Sequence, residues 1–244
     1  MAAPPVWRLL VLLVLLCVNA GLGAGQGAAL AVAGPSASSE IVDVALDPGH
    51  STWDIGAVGA GMAEHELTLD VANRARAQLQ EWGYSVRLTR EGRSRAASAV
   101  PPDPTEAVRT EQEARHAAAA PARAYVSIHF NAHPNQSLRG TETYVNSDNH
   151  GPASWRLAGL LQAETVAALA AAGYTPFDRG VKEDLAAGKP YGHFFSLRGP
   201  FPSALVECLF LSNPSEAEML RHDATRDAIA RGIALGVARY LDEE

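Results

Sequence analysis

The chain has 244 residues, of which 47% are hydrophobic, and a formal net charge of -7. This composition excludes a disordered or fibrous protein and supplies enough apolar residues for one domain with a sizeable core. The acidic balance and the lack of a basic stripe argue against nucleic acid as the main partner, because phosphate binding needs clustered lysines and arginines.

The first 39 residues differ in composition from the rest of the chain. Arg8 precedes an apolar run of ten residues, 9–18, after which small residues predominate. A membrane-spanning helix needs roughly 20 apolar residues, so we predict a cleaved signal peptide over residues 1–24 and no stable membrane insertion after cleavage. Residues 25–39 consist mainly of Gly, Ala and Ser, which predicts a flexible linker. The protein is therefore expected to be exported, to the periplasm or to the extracellular cell envelope.

The remaining residues, 40–244, are predicted to form a single domain of about 205 residues. Arg8 is the only charged residue before Glu40, so this domain carries a formal charge of -8. Cys208 is the only cysteine that remains once the leader is removed, which excludes an intrachain disulfide. The fold must therefore depend on its hydrophobic core, with a bound metal as a further candidate.

Hydrophobic periodicity predicts alternating strands and helices along this domain. In chain order the predicted elements are strand 41–47, helix 64–82, strand 84–89, helix 105–119, strand 125–129, strand 141–145, helix 153–172, strand 204–209 and helix 223–241. This alternation predicts a single α/β domain, in which a twisted, largely parallel (mixed) sheet is covered by helices on both faces.

Three predicted strands carry side chains suited to chemistry. In open α/β sheets the carboxyl ends of the strands meet at one edge. His50, after an Asp-Pro-Gly turn, and His129, at the end of a buried strand, are therefore expected in the same layer. Glu207 lies inside an apolar strand, where a lone carboxylate is costly to bury unless it meets a metal, a proton or a partner.

A fourth candidate lies at the start of the first predicted helix. At about 100° per residue, Glu64 shares the apolar face of Leu67 and Val71, whereas Glu66 lies opposite. Glu64 is therefore predicted to point toward the sheet. Two histidines and one carboxylate, with a fourth position open to water, form a recurrent catalytic zinc set.

These four residues predict a hydrolytic mechanism. A zinc ion held by His50, Glu64 and His129 would lower the pKa of its water to about 7 and polarise a scissile carbonyl. Glu207 would take the proton from that water and pass it to the leaving amine, a contribution that is typically about 10²- to 10⁴-fold in rate. From these residues alone the function is a metallohydrolase without a defined substrate.

Six motifs follow one another along the predicted domain. They are Asp47-Pro-Gly-His50, Glu64 with Leu69, Thr89-Arg90, Ser127-Ile-His129-Phe-Asn131-Ala132, Gly140-Thr-Glu-Thr-Tyr144 and Val206-Glu207 with Leu211-Ser212-Asn213. Together, over residues 41–241, they resemble the zinc-dependent N-acetylmuramoyl-L-alanine amidases of the type-3 amidase family. Six spaced matches are far more specific than any one of them.

The resemblance implies a role for each candidate residue. His50, Glu64 and His129 would be the zinc ligands, and Glu207 would be the catalytic carboxylate. The implied substrate is the amide bond between N-acetylmuramic acid and L-alanine, so the expected partner is peptidoglycan, with its glycan strand and stem peptide. We expect the enzyme to be a monomer.

The sequence departs from the family pattern at two places. Ser51-Thr52 stands where the family usually has Gly-Gly, and Leu209 stands where it usually has Gly before the phenylalanine of the last motif. Some relatives carry a long inhibitory helix between the second histidine and the catalytic glutamate. Here that interval is predicted to hold one ordinary helix and a loop around residues 180–199, so we expect no inhibitory helix.

Two other functions remain open at this point. One is a different metal-dependent amidohydrolase or deacetylase, because the zinc set alone does not choose the bond. The other is a non-catalytic peptidoglycan-binding domain. Each residue also has a structural explanation: His50 as a turn histidine, His129 as a core histidine, Glu64 as an exposed carboxylate at a helix start, and Glu207 as the ion-pair partner of Arg198.

Other polar residues receive weaker assignments. Asp54 and Asn131 are candidates to hydrogen-bond the metal ligands, which such histidines generally need. His133 and His193 are the remaining histidines most suited to line the groove. Surface or loop positions are expected for His65, His116, His150 and His222. Cys208 is predicted to be a core residue, because neighbouring strand residues point to opposite faces and Glu207 faces the site.

Overall fold

The computed structural model describes residues 40–243. The predicted signal peptide, 1–24, and the predicted linker, 25–39, lie outside the described residues. None of the helices within 40–243 combines the length and the apolar composition that crossing a bilayer requires.

Eight strands and five α-helices are found in the described part of the chain. They are β1 Val42–Pro48, β2 Val58–Gly59, β3 Met62–Ala63, α1 Glu64–Glu81, β4 Val86–Leu88, α2 Pro104–Ala119, β5 Ala122–Asn131, β6 Thr141–Val145, α3 Gly151–Ala171, β7 Asp178–Glu183, β8 Ser203–Phe210, α4 Pro214–Leu220 and α5 Asp223–Asp242. Two short 3-10 helices, Asp184–Ala187 and Phe195–Leu197, lie between β7 and β8. Every predicted strand and helix is present, with small shifts at its ends.

Six of the strands form one sheet in the order β4-β1-β5-β8-β6-β7. Neighbouring strands are parallel except β6 and β8, which are antiparallel. The prediction of a largely parallel mixed sheet is therefore confirmed. β1, β5 and β8 are neighbours in the middle of the strand order, and their carboxyl ends lie side by side. The sequence predicts the site residues at these strand ends.

Helices cover both faces of the sheet, as predicted. Helices α1, α3 and α5 lie on one face, where alternate strand residues such as Val44, Val126 and Val206 enter the main core. On the opposite face α2 contacts β1 and β4, and Tyr125 stacks on Phe201 at 5.0 Å between ring centroids. Cys208 is fully buried in the main core, on the face opposite to Glu207, as predicted.

The elements that the sequence did not predict are short or lie at an edge. β7 is half-buried and contains Gly180 and four charged side chains, so it shows no alternation of polar and apolar residues. α4 has seven residues, too few for a helical period to stand out. Its signal is local: the Asn213 side chain accepts from the backbone N–H groups of Ser215 and Glu216, and Pro214 begins the helix.

Candidate metal centre and active-site cleft

The structure brings His50, Glu64 and His129 together. His50 follows β1, His129 lies in the neighbouring parallel strand β5, and Glu64 is the first residue of α1. Oε1 of Glu64 lies 3.2 Å from Nε2 of His50 and 3.1 Å from Nδ1 of His129. One donor atom from each residue lies within 4.8 Å of the others. Glu64 therefore points toward the sheet, as its position on the helix predicts. Glu66 is half exposed on the other side of the helix, beside Arg93.

The backbone around these residues is tight. His50 has a φ of +61°, the left-handed region that a residue with a side chain enters at a cost of about 1–3 kcal/mol. A Cβ on Gly49 would lie 2.4 Å from the His129 ring, and a Cβ on Gly56 would lie 2.5 Å from Oε2 of Glu64. The three side chains can approach one another only because both positions are glycine.

Hydrogen bonds fix the orientation of His50 and Glu64. Asp54 lies 2.9 Å from Nδ1 of His50 through its Oδ2, so Nε2 is the nitrogen that faces Glu64. Glu64 accepts from the backbone N–H groups of Ala57 at 2.8 Å and Phe130 at 3.0 Å. The predicted contact of Asp54 with a candidate ligand is therefore present.

These contacts shift the protonation of the cluster. Burial by itself lowers the pKa of His50, but hydrogen bonds to Asp54 and Glu64 outweigh it and raise that pKa to about 10. Burial likewise raises the pKa of Glu64, yet its contacts with His129 and His50 hold it well below the usual range. The cluster therefore pairs a carboxylate with positive charge, and a cation can take the place of the proton.

The predicted contact of Asn131 with a candidate ligand is wrong. Its side-chain amide donates to Glu142 Oε1 at 2.6 Å. Glu142 is itself buried on β6, where Arg179, Lys182 and the Tyr144 hydroxyl also contact it. Asn131 therefore belongs to a polar cluster beside the site, whose side chains come from β5, β6 and β7.

Glu207 lies directly across from His129 in the pairing of β5 with β8, and it lines the same cleft. Its Oε2 is buried and has no hydrogen-bond partner among residues 40–243. Burial raises the pKa of Glu207 well above its usual value, and the charges of Glu64 and Glu142 raise it further. The ion pair with Arg198 is not formed, because Arg198 donates to the carbonyls of Tyr191 and His193.

The donor set fits a zinc ion. Zinc binds histidine nitrogen and carboxylate oxygen at about 2.0–2.2 Å, so two ligands of a tetrahedral ion lie roughly 3.3 Å apart. The two separations that involve Glu64, 3.2 Å and 3.1 Å, are close to that value, and all three donor atoms lie within 4.8 Å of one another. An unpartnered buried carboxylate oxygen on Glu207, in the same cleft, is also a group that a bound water or substrate would satisfy.

A cleft of about 500 Å³ opens over the cluster. One wall contains Trp53, which is 41% exposed, and the other contains Lys189, Tyr191 and Phe194. Sequence reasoning did not single out these lining residues. Trp53 could have been found from its position three residues after His50, whereas the second wall has no periodicity that would place it there.

The other histidines differ in part from expectation. His133 and His193 do not line the cleft; His193 contacts Asp184 at 2.6 Å and Asp148 at 3.2 Å instead. The expected exposure of His65 is wrong because it is buried in α1. His116 is half-buried and contacts the carbonyl of Ser196. His150 and His222 are exposed, as predicted.

The interval between His129 and Glu207 holds one α-helix, α3, which packs against α5 on the face away from the cleft. The residues of this interval that line the cleft lie in β5, β8, the 3-10 turn Phe195–Leu197 and the loops beside them, and none lies in α3. Within the described interval from His129 to Glu207, no α-helix other than α3 is found.

A mostly parallel sheet with a His-Glu-His cluster and a further carboxyl group near the carboxyl ends of its central strands is typical of metal-dependent hydrolases. The family model for N-acetylmuramoyl-L-alanine amidases of the Amidase_3 type matches residues 44–239. The chain belongs to this family. The predictions of a type-3 amidase and of an enzyme of this class are therefore confirmed.

Individual relatives cover the same region. N-acetylmuramoyl-L-alanine amidase LytC of Bacillus subtilis strain 168 is 31% identical over 196 residues, which are 80% of this chain and 34% of LytC. The germination-specific N-acetylmuramoyl-L-alanine amidase of the same strain is 32% identical over 82% of this chain and 79% of its own length. The chain thus spans about a third of LytC but most of the second relative.

A solved structure agrees with these matches. The crystal structure of an N-acetylmuramoyl-L-alanine amidase from Clostridium difficile 630 superimposes with a TM-score of 0.67 and 26% identity. It covers 84% of this chain and 98% of that one. The α/β fold predicted from the sequence is therefore the fold of an amidase catalytic domain.

Proposed function

We propose that this chain is a zinc-dependent N-acetylmuramoyl-L-alanine amidase that cuts the amide between N-acetylmuramic acid and L-alanine in peptidoglycan. The observation that carries the proposal is the convergence of His50, Glu64 and His129 beside the half-buried carboxyl group of Glu207. The three converging residues would hold the ion. When bound, zinc supplies Lewis acidity to a water molecule and to the scissile carbonyl.

Glu207 is the proposed general base and acid. Its raised pKa suits a group that takes a proton from the attacking water and holds it through the reaction. The water oxygen then bonds to the carbonyl carbon, the C–N bond breaks, and Glu207 returns the proton to the amine of L-alanine. The products are a lactyl carboxylate on the glycan and a stem peptide with a free amino terminus.

Export is part of the proposal. The apolar run at 9–18 and the small residues after it support a signal peptide over 1–24, a linker over 25–39 and a catalytic domain over 40–244. Peptidoglycan lies outside the cytoplasm, so an amidase of this kind must reach the periplasm or the extracellular envelope. We propose that the exported enzyme is a monomer, and amino-terminal sequencing of the secreted protein tests the cleavage.

Digestion of purified peptidoglycan by Glu207→Gln tests the mechanism. We expect the wild type to release stem peptides that begin with free L-alanine and to leave the glycan intact. The variant should lose about 10²- to 10⁴-fold in kcat while it keeps its zinc, because the glutamine side chain cannot accept the proton from water. Mass spectrometry of the products and metal analysis of both proteins are the measurements.

Glu66→Gln is the matched control, because Glu66 is on the same helix as Glu64 but faces away from the cluster. It should keep wild-type rate and zinc. Release of disaccharide-peptides by the wild type would contradict the amidase assignment. Undiminished turnover by Glu207→Gln would instead contradict the role of this carboxyl group and favour a different base.

A further inference from the structure

Two arginines hold the backbone segment that carries His50. Arg115, on α2, donates to the Pro48 carbonyl at 2.5 Å from Nη1 and to the His50 carbonyl at 2.6 Å from Nη2. Arg90, which follows β4, donates to the Pro48 carbonyl at 3.0 Å from Nε and to the Gly49 carbonyl at 3.0 Å from Nη2. Three consecutive carbonyl groups therefore accept from guanidinium groups.

Arg90 also connects this segment to the helix that carries Glu64. Its Nη2 donates to the carbonyl of His65 at 2.8 Å, within the first turn of α1. The hydroxyl of Thr68, one turn further, donates to the Gly49 carbonyl at 2.7 Å. The backbones of two candidate metal ligands, one on a loop and one on a helix, are thus joined through Arg90 and Thr68.

Neither arginine is free to bind substrate. Arg115 is 1% exposed and Arg90 is 5% exposed. Arg115 is fixed by Asp47 at 2.9 Å and by Glu111 at 3.1 Å. Although Arg115 borders the cleft, its donors are directed at Asp47, Glu111 and the backbone. The contacts of Arg115 and Arg90 indicate that both residues hold the backbone in position.

The geometry they hold is a strained one. His50 has a positive φ, and such a conformation persists only where the surrounding structure determines it from several sides. Guanidinium groups suit this task because they stay charged and offer several donors in a rigid plane. Asp54 contacts the imidazole ring of His50, and the arginines contact the carbonyl groups of its backbone segment.

We propose that Arg115 and Arg90 are positioning residues, which lock the backbone of Pro48, Gly49 and His50 and thereby preorganise the His50 imidazole for zinc. The inference rests on the proposed function, in which His50, Glu64 and His129 hold the ion. The two arginines act through the backbone and do not touch the metal.

Arg115→Lys is the sharpest test. Lysine keeps the positive charge beside Asp47, but one ammonium nitrogen cannot serve the Pro48 and His50 carbonyls together as two guanidinium nitrogens do. We expect zinc binding, measured by competition with a chromogenic chelator, to weaken about 10- to 100-fold. The absorption spectrum of the cobalt-substituted protein should also change, because it reports the ligand geometry.

Arg87→Lys is the matched control. Arg87 also donates to backbone carbonyls, but these belong to Ala119 and Ala120 at the end of α2 and not to the segment that carries His50. Its zinc affinity should stay within about twofold of the wild type. Urea unfolding of the metal-free proteins separates the two roles: substitution of an arginine that only stabilises the fold lowers the free energy of unfolding and leaves zinc affinity unchanged.

Thr68→Val decides the matter if Arg115→Lys fails to fold. It removes the hydroxyl that donates to the Gly49 carbonyl, and we expect a loss of zinc affinity of roughly threefold to tenfold. Unchanged zinc affinity in a folded Arg115→Lys, or in Thr68→Val where the lysine variant does not fold, would overturn the inference. A wild-type protein that binds no zinc would instead refute the proposed function itself.

Discussion

The two walls of the cleft are held in different ways. The metal-side segment, residues 47–57, is fastened to the sheet and to α1 by buried arginines and by Glu64. The outer segment, residues 184–197, has exposed side chains at Leu185 and Lys189. Its main internal anchor is Asp184, which is fully buried.

Asp184 holds the outer segment at one point. It contacts the His193 ring at 2.6 Å and accepts from the Phe194 N–H at 2.7 Å. Tyr191 and Phe195 stack on each other at 4.7 Å between ring centroids. We propose from this comparison that the metal side is preorganised for zinc and that the outer side contacts substrate. Changes on the two sides should therefore affect different constants.

The largest expected effect is that of pH on the metal side. Zinc needs a neutral imidazole, whereas His50 in the metal-free protein has a pKa of about 10 and is protonated at neutral pH. Each zinc must then displace this proton, so affinity rises with pH and falls by about tenfold per pH unit on acidification. Between pH 8 and pH 6 we expect a loss of about 100-fold, measured by chelator competition.

A flat zinc affinity across this range would contradict the assignment of a protonated His50. The Asp148→Asn variant is the control, because Asp148 contacts His193 on the outer side and its side chain is 84% exposed. Its zinc affinity should show the same slope as that of the wild type.

Asp54→Asn should have the next largest effect. The substitution replaces the carboxylate that orients Nδ1 of His50 with an amide. Loss of such a partner typically weakens metal binding about 10- to 100-fold. It should also lower the pKa of His50, so that the pH dependence of zinc binding levels off at a lower pH than in the wild type. Zinc affinity and its pH dependence are the measurements.

A result that separates these two effects would sharpen the comparison. If Asp54→Asn changed the pH dependence but not the zinc affinity at high pH, the backbone contacts of the arginines alone would suffice to place the ring. If neither changed, Asp54 would have no role in metal binding.

The metal side is also the part that the sequence predicts well. His50 follows an Asp-Pro-Gly turn at a strand end, and the helical azimuth of Glu64 is set by the apolar residues that follow it. These signals are local, and strand pairing then brings His129 alongside. Sheet order and the placement of helices follow from the same alternation of elements.

Other parts of the site depend on long-range structure. Arg115 and Glu111 occupy two positions of the inward stripe of α2, between Ala107 and Ala119, so the stripe lacks the apolar signal that marks a buried face. Asn131 was placed beside the metal ligands, but the strand register shifts between His129 and Asn131, and its side chain reaches Glu142 instead. A bulge of this kind cannot be read from the alternation of residues.

The smallest effect is expected on the outer side, from Asp184→Asn. The substitution replaces a charge-assisted contact to His193 with a neutral one, which costs the segment about 1–2 kcal/mol. A looser wall should raise KM for a soluble peptidoglycan fragment by roughly threefold to tenfold, because substrate binding must first order it. Zinc affinity should stay at the wild-type value, since none of the ligands contacts Asp184 directly.

The pair of constants decides whether the two walls are independent. A higher KM with unchanged zinc affinity in Asp184→Asn, set against weaker zinc binding in Asp54→Asn, would establish the division. Equal losses of zinc affinity in both variants would show that the outer segment also helps to hold the metal ligands in place. We expect such coupling to pass through Tyr191 and Phe195, which stack on each other and both line the cleft.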